Sequence, residues 1–116
     1  MKRGTALKLT DLLKSGNYTA GTCVLRYENC YCVFGVLADF LDPEAWRDGF
    51  AGDAWRGCQH YLDDAALKQC KIKTRDGVFI DDEDRTSSLV QQSDLCARDG
   101  KWDKVIVVLE KYYDQI

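Results

Sequence analysis

The residues of this chain best equipped for chemistry are six cysteines (Cys23, Cys30, Cys32, Cys58, Cys70 and Cys96) and one histidine, His60. Disulfides need an oxidising compartment. Here a basic start, Lys2 and Arg3, runs into a charged amphipathic segment where a secretory leader would be unbroken and apolar. Zinc needs four nitrogen or sulfur ligands. Cys30-x-Cys32 and Cys58-x-His60 supply that set, at a one-residue spacing tighter than usual. A nucleophilic thiol needs a base and a lowered pKa. His60 with Cys32 is the pair for that role, because a cysteine opening a helix feels the dipole of its N-terminus. Neither an orienting group nor an oxyanion signature lies near them in sequence. Cys23-Val24-Leu25, the Cys30 to Phe34 run and Leu95-Cys96-Ala97 are apolar surroundings, where a free cysteine acts as a small hydrophobe. The expectation is core thiols, no catalytic residue and no cofactor. The zinc set and a Cys32–His60 enzyme stand as alternatives.

Residues 42–61 offer binding chemistry instead. Trp46, Phe50, Trp55 and Tyr61 are interleaved with Gly49, Gly52 and Gly57 and with Arg47 and Arg56. Aromatic and arginine side chains dominate interface energetics, and glycines let a loop shape itself. The competing reading is an excursion whose aromatics pin it to the core. A nucleotide stacked between the aromatics, with an arginine on its phosphate, is a further version. Asp81-Asp82-Glu83-Asp84 is the one acidic block. It is read as a solvated loop or a weak contact for a basic partner, and it lacks the glycine and alternation of a calcium loop.

These residues must be held by elements. Ala6 to Lys14 has helical spacing and Gly16 stops it. Thr22 to Tyr27 alternates as a half-buried strand, Glu28-Asn29 turns, and Cys30 to Cys32 returns as a hairpin. Val33 to Leu41 is a buried helix, with Gly35 allowing close approach of a neighbour and Asp42-Pro43 starting a short helix beyond it. Asp63 to Cys70 is a helix, Gly77 to Ile80 a short strand, and Thr86 to Cys96 a helix that Thr86 caps. Trp102, Val105, Ile106, Leu109, Tyr112, Tyr113 and Ile116 share one face of a final helix. Val107 and Val108 add apolar surface beyond it, a candidate self-association face. The sum is one α+β domain spanning 1–116: four or five helices packed on a small antiparallel β-hairpin sheet.

Composition bounds the function. At 116 residues, 46% hydrophobic and 30% charged, the chain builds one core and is not disordered. The net charge of −3 is uneven: residues 1–40 carry +2 and residues 41–100 carry −5. Dense basic stripes are lacking, which argues against direct nucleic-acid contact, and so are long apolar runs, which argues against a membrane span. The expected location is the cytoplasm.

Leu12-Leu13-Lys14-Ser15-Gly16-Asn17-Tyr18, Gly21, and the Tyr31 to Asp39 stretch with its Cys-x-x-Gly-Val-Leu-x-Asp pattern resemble a family of small uncharacterised proteins frequent in bacteriophage and prophage genomes. The likeness continues at Tyr61-Leu62, Thr74-Arg75-Asp76-Gly77 and Asp99-Gly100-Lys101-Trp102. It departs where Asp63 follows Leu62 in place of the family's proline, and at Gln92-Ser93-Asp94 in place of Leu-Asn-Asp. The resemblance implies a fold and a viral origin but no activity. With it, the expected function is a phage accessory protein in the host cytoplasm that binds, and inhibits, a bacterial host or defence-system protein. The alternative of another class is a protein that sequesters a nucleotide.

Overall fold

The computed structural model describes residues 1–22 and 24–116, so Cys23 lies outside the described residues. Helix α1 (Arg3–Lys14) buries Ala6, Leu9 and Leu13 and ends at Gly16, whose φ of 80° suits glycine. Helix α2 (Val33–Leu41) buries every residue from Val33 to Ala38, as that apolar run requires. The other helices are α3 (Asp64–Gln69), α4 (Leu89–Cys96) and α5 (Asp103–Tyr112). The strands are short and antiparallel apart from one pair, so the architecture is α+β, as expected. Strands β1 (Thr19–Ala20), β2 (Arg26–Tyr27) and β3 (Cys30–Tyr31) form one sheet in the order β1-β3-β2. Strands β4 (Trp46–Arg47) and β5 (Ala54–Trp55) form a hairpin, as do β6 (Val78–Ile80) and β7 (Thr86–Ser88).

Local chemistry sets most boundaries. Glu28 and Asn29, at φ 48° and 65°, make the tight turn between β2 and β3. The Cys32 sulfur accepts a bond from Gly35 N and caps α2; Asp63 accepts from Ala66 N and caps α3; Ser88 accepts from Gln91 N and caps α4. Ser93, fully buried, uses its hydroxyl to accept from Val33 N, tying α4 to the start of α2. The free edge of β6 is closed by the Gln115 amide, which accepts from Ile80 N at 2.8 Å and donates to Ile80 O at 3.1 Å.

Three expectations are corrected. Thr86 does not cap α4: Thr86–Ser88 pairs with β6, and the helix begins only at Leu89. The expected strand from Thr22 shrinks to Arg26–Tyr27. Its Val24 and Leu25 are both buried, because this segment crosses α2 at Gly35 and its Leu25 N donates to Gln59 O instead of extending a sheet. The two valines of α5 separate: Val108 joins the core and only Val107, 53% exposed, reaches the surface. The periodic face itself stands, continued past Tyr112 by a 3₁₀ turn, Tyr113–Gln115, with Ile116 buried.

Candidate functional site

The segment after α2 folds back as a braced hairpin. A 3₁₀ turn, Pro43–Ala45, leads into β4. Trp46 and Trp55 lie directly opposite each other across the β4–β5 pair, so both rings leave the same face. That face points inward: Trp55 is 0% exposed and Trp46 is buried. Each indole finds an acceptor, Trp55 Nε1 on Asp42 O at 2.9 Å and Trp46 Nε1 on Asp39 Oδ1 at 3.0 Å. Arginines cover what remains. The Arg26 guanidinium lies 4.1 Å over the Trp46 ring and its Nε donates to Asp53 at 2.6 Å. The Arg56 guanidinium lies 4.3 Å over Trp55, between Asp42 at 3.6 Å and Asp63 at 3.7 Å.

Asp39 joins this hairpin to the rest of the molecule. Its second oxygen accepts from the Tyr18 hydroxyl at 2.7 Å, and Tyr18 stands edge-on to Tyr31 at 4.9 Å. Burial and the bond to Asp39 together hold the Tyr18 phenol well above its ordinary pKa. The Ser-Gly-Asn-Tyr segment and the Cys-x-x-Gly-Val-Leu-x-Asp segment therefore meet through one hydrogen bond. Every polar member of that motif has an architectural task here: Cys32 caps and Asp39 anchors.

The loop between the strands behaves differently. Phe50 is fully exposed at its tip. Its flank is fixed, because Asp53 bridges to Arg26 on β2 and Asp53 N donates to Arg26 O at 2.9 Å. The expected binding residues thus separate. Phe50 points to solvent. Arg47 is exposed but donates to Glu44 O and Trp46 O at the hairpin base. Tyr61 lies under the Arg75 guanidinium at 4.3 Å. Trp46 and Trp55 are corrected from contact residues to supports, and the two indoles offer no open face to a nucleotide base, while Arg56 stays exposed above Trp55. Tyr27, exposed on β2 next to the Arg26–Asp53 bridge, is a candidate contact residue the sequence reading missed. Its only sequence signal was a large aromatic beside a turn.

The acidic block is the turn between β6 and β7. Asp81 accepts from Glu83 N and Arg85 N, Arg85 pairs with Asp81 and Glu83, and Lys111 meets Asp82 at 2.7 Å. The Lys111 bond holds the Asp82 carboxyl below its usual range. Asp82, Glu83 and Asp84 stay exposed, and the exposed ion pairs of this turn are screened by water, as in a solvated loop.

The thiol chemistry also changes. Among the described residues no three His, Cys, Asp or Glu side chains gather as metal ligands, so Cys30, Cys32, Cys58 and His60 do not form the zinc set. Cys32 does open a helix, but burial outweighs the dipole and pushes its thiol up to about 11. Near neutral pH such a group is a protonated cap, not a nucleophile. Cys30 and Cys58 are partly exposed, whereas Cys32, Cys70 and Cys96 are buried. Iodoacetamide labelling at neutral pH, mapped by peptide mass spectrometry, should therefore modify Cys30 and Cys58 well before those three, which become reactive only with unfolding. Labelling of Cys32 as fast as Cys58 would contradict this assignment.

Compared with protein-family models, curated proteins and solved structures, the chain matches none of them.

Proposed function

We propose that this chain is a protein-binding module that presents the tip of the β4–β5 hairpin, with Phe50 as its anchor, to a partner protein. One observation carries the reading. A phenylalanine stands fully in water on a hairpin whose base is locked by two buried tryptophans and two stacked arginines. Burying a phenylalanine side chain is worth roughly 1.5–3 kcal/mol. A braced support adds to that, because little ordering entropy is left to lose on binding. Arg47 and Asp48 of the hairpin and Tyr27 on β2 are also exposed.

The resemblance to phage and prophage proteins sets the proposed context. The module is a phage accessory protein of the host cytoplasm, and its partner is a bacterial host or defence-system protein that it inhibits. Binding without catalysis agrees with the protonated cap role of Cys32. No helix of the described residues is long and apolar enough to cross a membrane.

Photo-crosslinking tests this. With p-benzoylphenylalanine in place of Phe50, one bacterial protein should be captured in cells. The same group at Lys104 on α5 should not capture it. Phe50→Ser should then weaken binding of that protein by about 30-fold, the cost of losing a typical anchor, with an unchanged melting temperature. Retained affinity in Phe50→Ser would remove the hairpin tip from the function.

A further inference from the structure

Unpaired cations gather at one groove of this acidic chain. The groove, of about 300 Å³, runs between α1 and α2. Among the described residues its charged lining is Lys2 and Lys8, with no carboxylate. The bond from Lys2 N to Cys70 O at 2.9 Å sets the backbone of Lys71, also exposed, beside Lys2. None of these three lysines makes an ion pair among the described residues. The acids of the neighbouring elements are turned elsewhere. Asp11 lines the groove between α1 and α5, Asp39 accepts from Tyr18 and Trp46, and Asp42 and Asp63 flank Arg56. The floor of the α1–α2 groove is apolar. Leu37 is buried in it, and Phe40, 45% exposed, has the Lys8 ammonium 5.1 Å over its ring.

The β6–β7 turn carries the opposite charge. Its four acids, Asp81 to Asp84, stand against Arg85 and Lys111 alone, so an excess of negative charge remains. The pairs Arg85–Glu83 and Lys111–Asp82 are more than half exposed, so another cation can replace either partner. Ile80, 50% exposed, precedes the acids and adds an apolar side chain to the same turn. The turn is held to α5, because the Tyr112 hydroxyl accepts from Asp82 N at 3.2 Å. It shares no residue with the α1–α2 groove. One chain therefore carries a cationic groove and an anionic turn as separate surfaces, each with an apolar element.

We propose that the β6–β7 turn of one copy of this chain docks in the α1–α2 groove of the next. Carboxylates of Asp82 and Glu83 meet Lys2 and Lys8, and Ile80 covers Phe40. Charge complementarity selects the occupant, since the chain itself supplies an acidic segment with an apolar side chain for an unpaired basic groove. Joining two unlike surfaces does not close on itself, so copies add head to tail. A phosphate backbone gains nothing from the apolar floor, and three lysines track few phosphates. A bilayer asks for protruding apolar side chains, whereas Leu37 is buried in the floor and Phe40 lies under Lys8. Neither surface includes a residue of the β4–β5 hairpin, so Phe50 stays free in every copy.

Sedimentation velocity of the full chain tests this. At low salt the average mass should rise with protein concentration, and added salt should return it to the monomer. Lys2→Gln/Lys8→Gln, which neutralises the groove, should weaken association by about tenfold or more, and so should Asp82→Asn/Glu83→Gln in the turn. Mixing those two variants should restore association, but only as far as a dimer, because one supplies an intact turn and the other an intact groove. Lys14→Gln/Lys101→Gln makes the same change of net charge elsewhere and should leave association unchanged, as should Phe50→Ser. All the neutralised positions are exposed, so circular dichroism should report the same melting curve. A chain that stays monomeric at every concentration would overturn the proposal. So would equal weakening by Lys14→Gln/Lys101→Gln, or a mixture of the two variants that stays monomeric. Binding of duplex DNA or phosphatidylserine-containing vesicles that depends on Lys2 and Lys8, in a chain that does not self-associate, would assign the groove to that ligand instead.

Discussion

Gly35→Ala should destabilise the protein by about 3 kcal/mol or more, the upper end for overpacked sites, although alanine improves helix propensity by about 1 kcal/mol. The sign is decided by space. A Cβ at position 35 would overlap the Leu25 carbonyl oxygen and stand 2.7 Å from its carbon. The obstacle is backbone, which cannot rotate aside as a side chain can. Leu25 is also tied on both sides, donating to Gln59 O at 2.7 Å and accepting from Cys32 N at 3.1 Å. Retreat of Leu25 from α2 therefore costs those bonds and opens the core around a residue that is 0% exposed. Urea unfolding followed by circular dichroism measures this directly. A Gly35→Ala protein as stable as the parent would mean that the chain does not cross α2 this closely.

The second large effect lies in the hairpin. Trp55→Ala should cost about 3–5 kcal/mol, the range for truncating a large buried aromatic. Total stabilities of small domains are only about 5–15 kcal/mol, so this variant should be near the threshold of folding. Three losses coincide: the buried indole volume, the donor to Asp42 O, and the surface on which Arg56 rests between Asp42 and Asp63. Trp55→Phe separates them. It keeps most of the volume and removes one of two donors to Asp42 O, which still accepts from Ala45 N at 3.2 Å, and this predicts an intermediate loss of about 0.5–1.5 kcal/mol. Phe50→Ser, five positions away, should shift stability by no more than about 0.5 kcal/mol, as for an ordinary surface site. The order Trp55→Ala, Trp55→Phe, Phe50→Ser, measured by chemical denaturation, separates the supporting residues from the presented one. An equal loss in Trp55→Ala and Phe50→Ser would refute that division.

The helices were legible because their signals are local. The apolar period of α1 and α5, the long apolar run of α2 and the aspartate that opens α3 all act within a few turns of chain. Gly35 was legible as a point of close approach, though not what approaches it. Thr86–Ser88 was misread because its pairing partner, Val78–Ile80, lies across a turn, and three residues of strand carry too little periodicity to outweigh the helix that follows. The aromatics of 42–61 could be identified as important but not sorted. Trp46 and Trp55 face inward only because β4 and β5 pair in a register that sets them opposite each other, while Phe50 falls in the loop that this register leaves unpaired. Asp39 carried a signal, a lone acid in an apolar helix, yet its partners Tyr18 and Trp46 come from two other parts of the chain.

By itself the sequence determined the α+β class and the chief helices, because composition and short-range periodicity are properties of the chain alone. Tertiary structure decided which residues face water. Burial turned Cys32 from a prospective nucleophile into a helix cap, and register turned two tryptophans into supports. Exposure depends on what lies across the fold, and that information is carried by contacts between residues far apart in the chain.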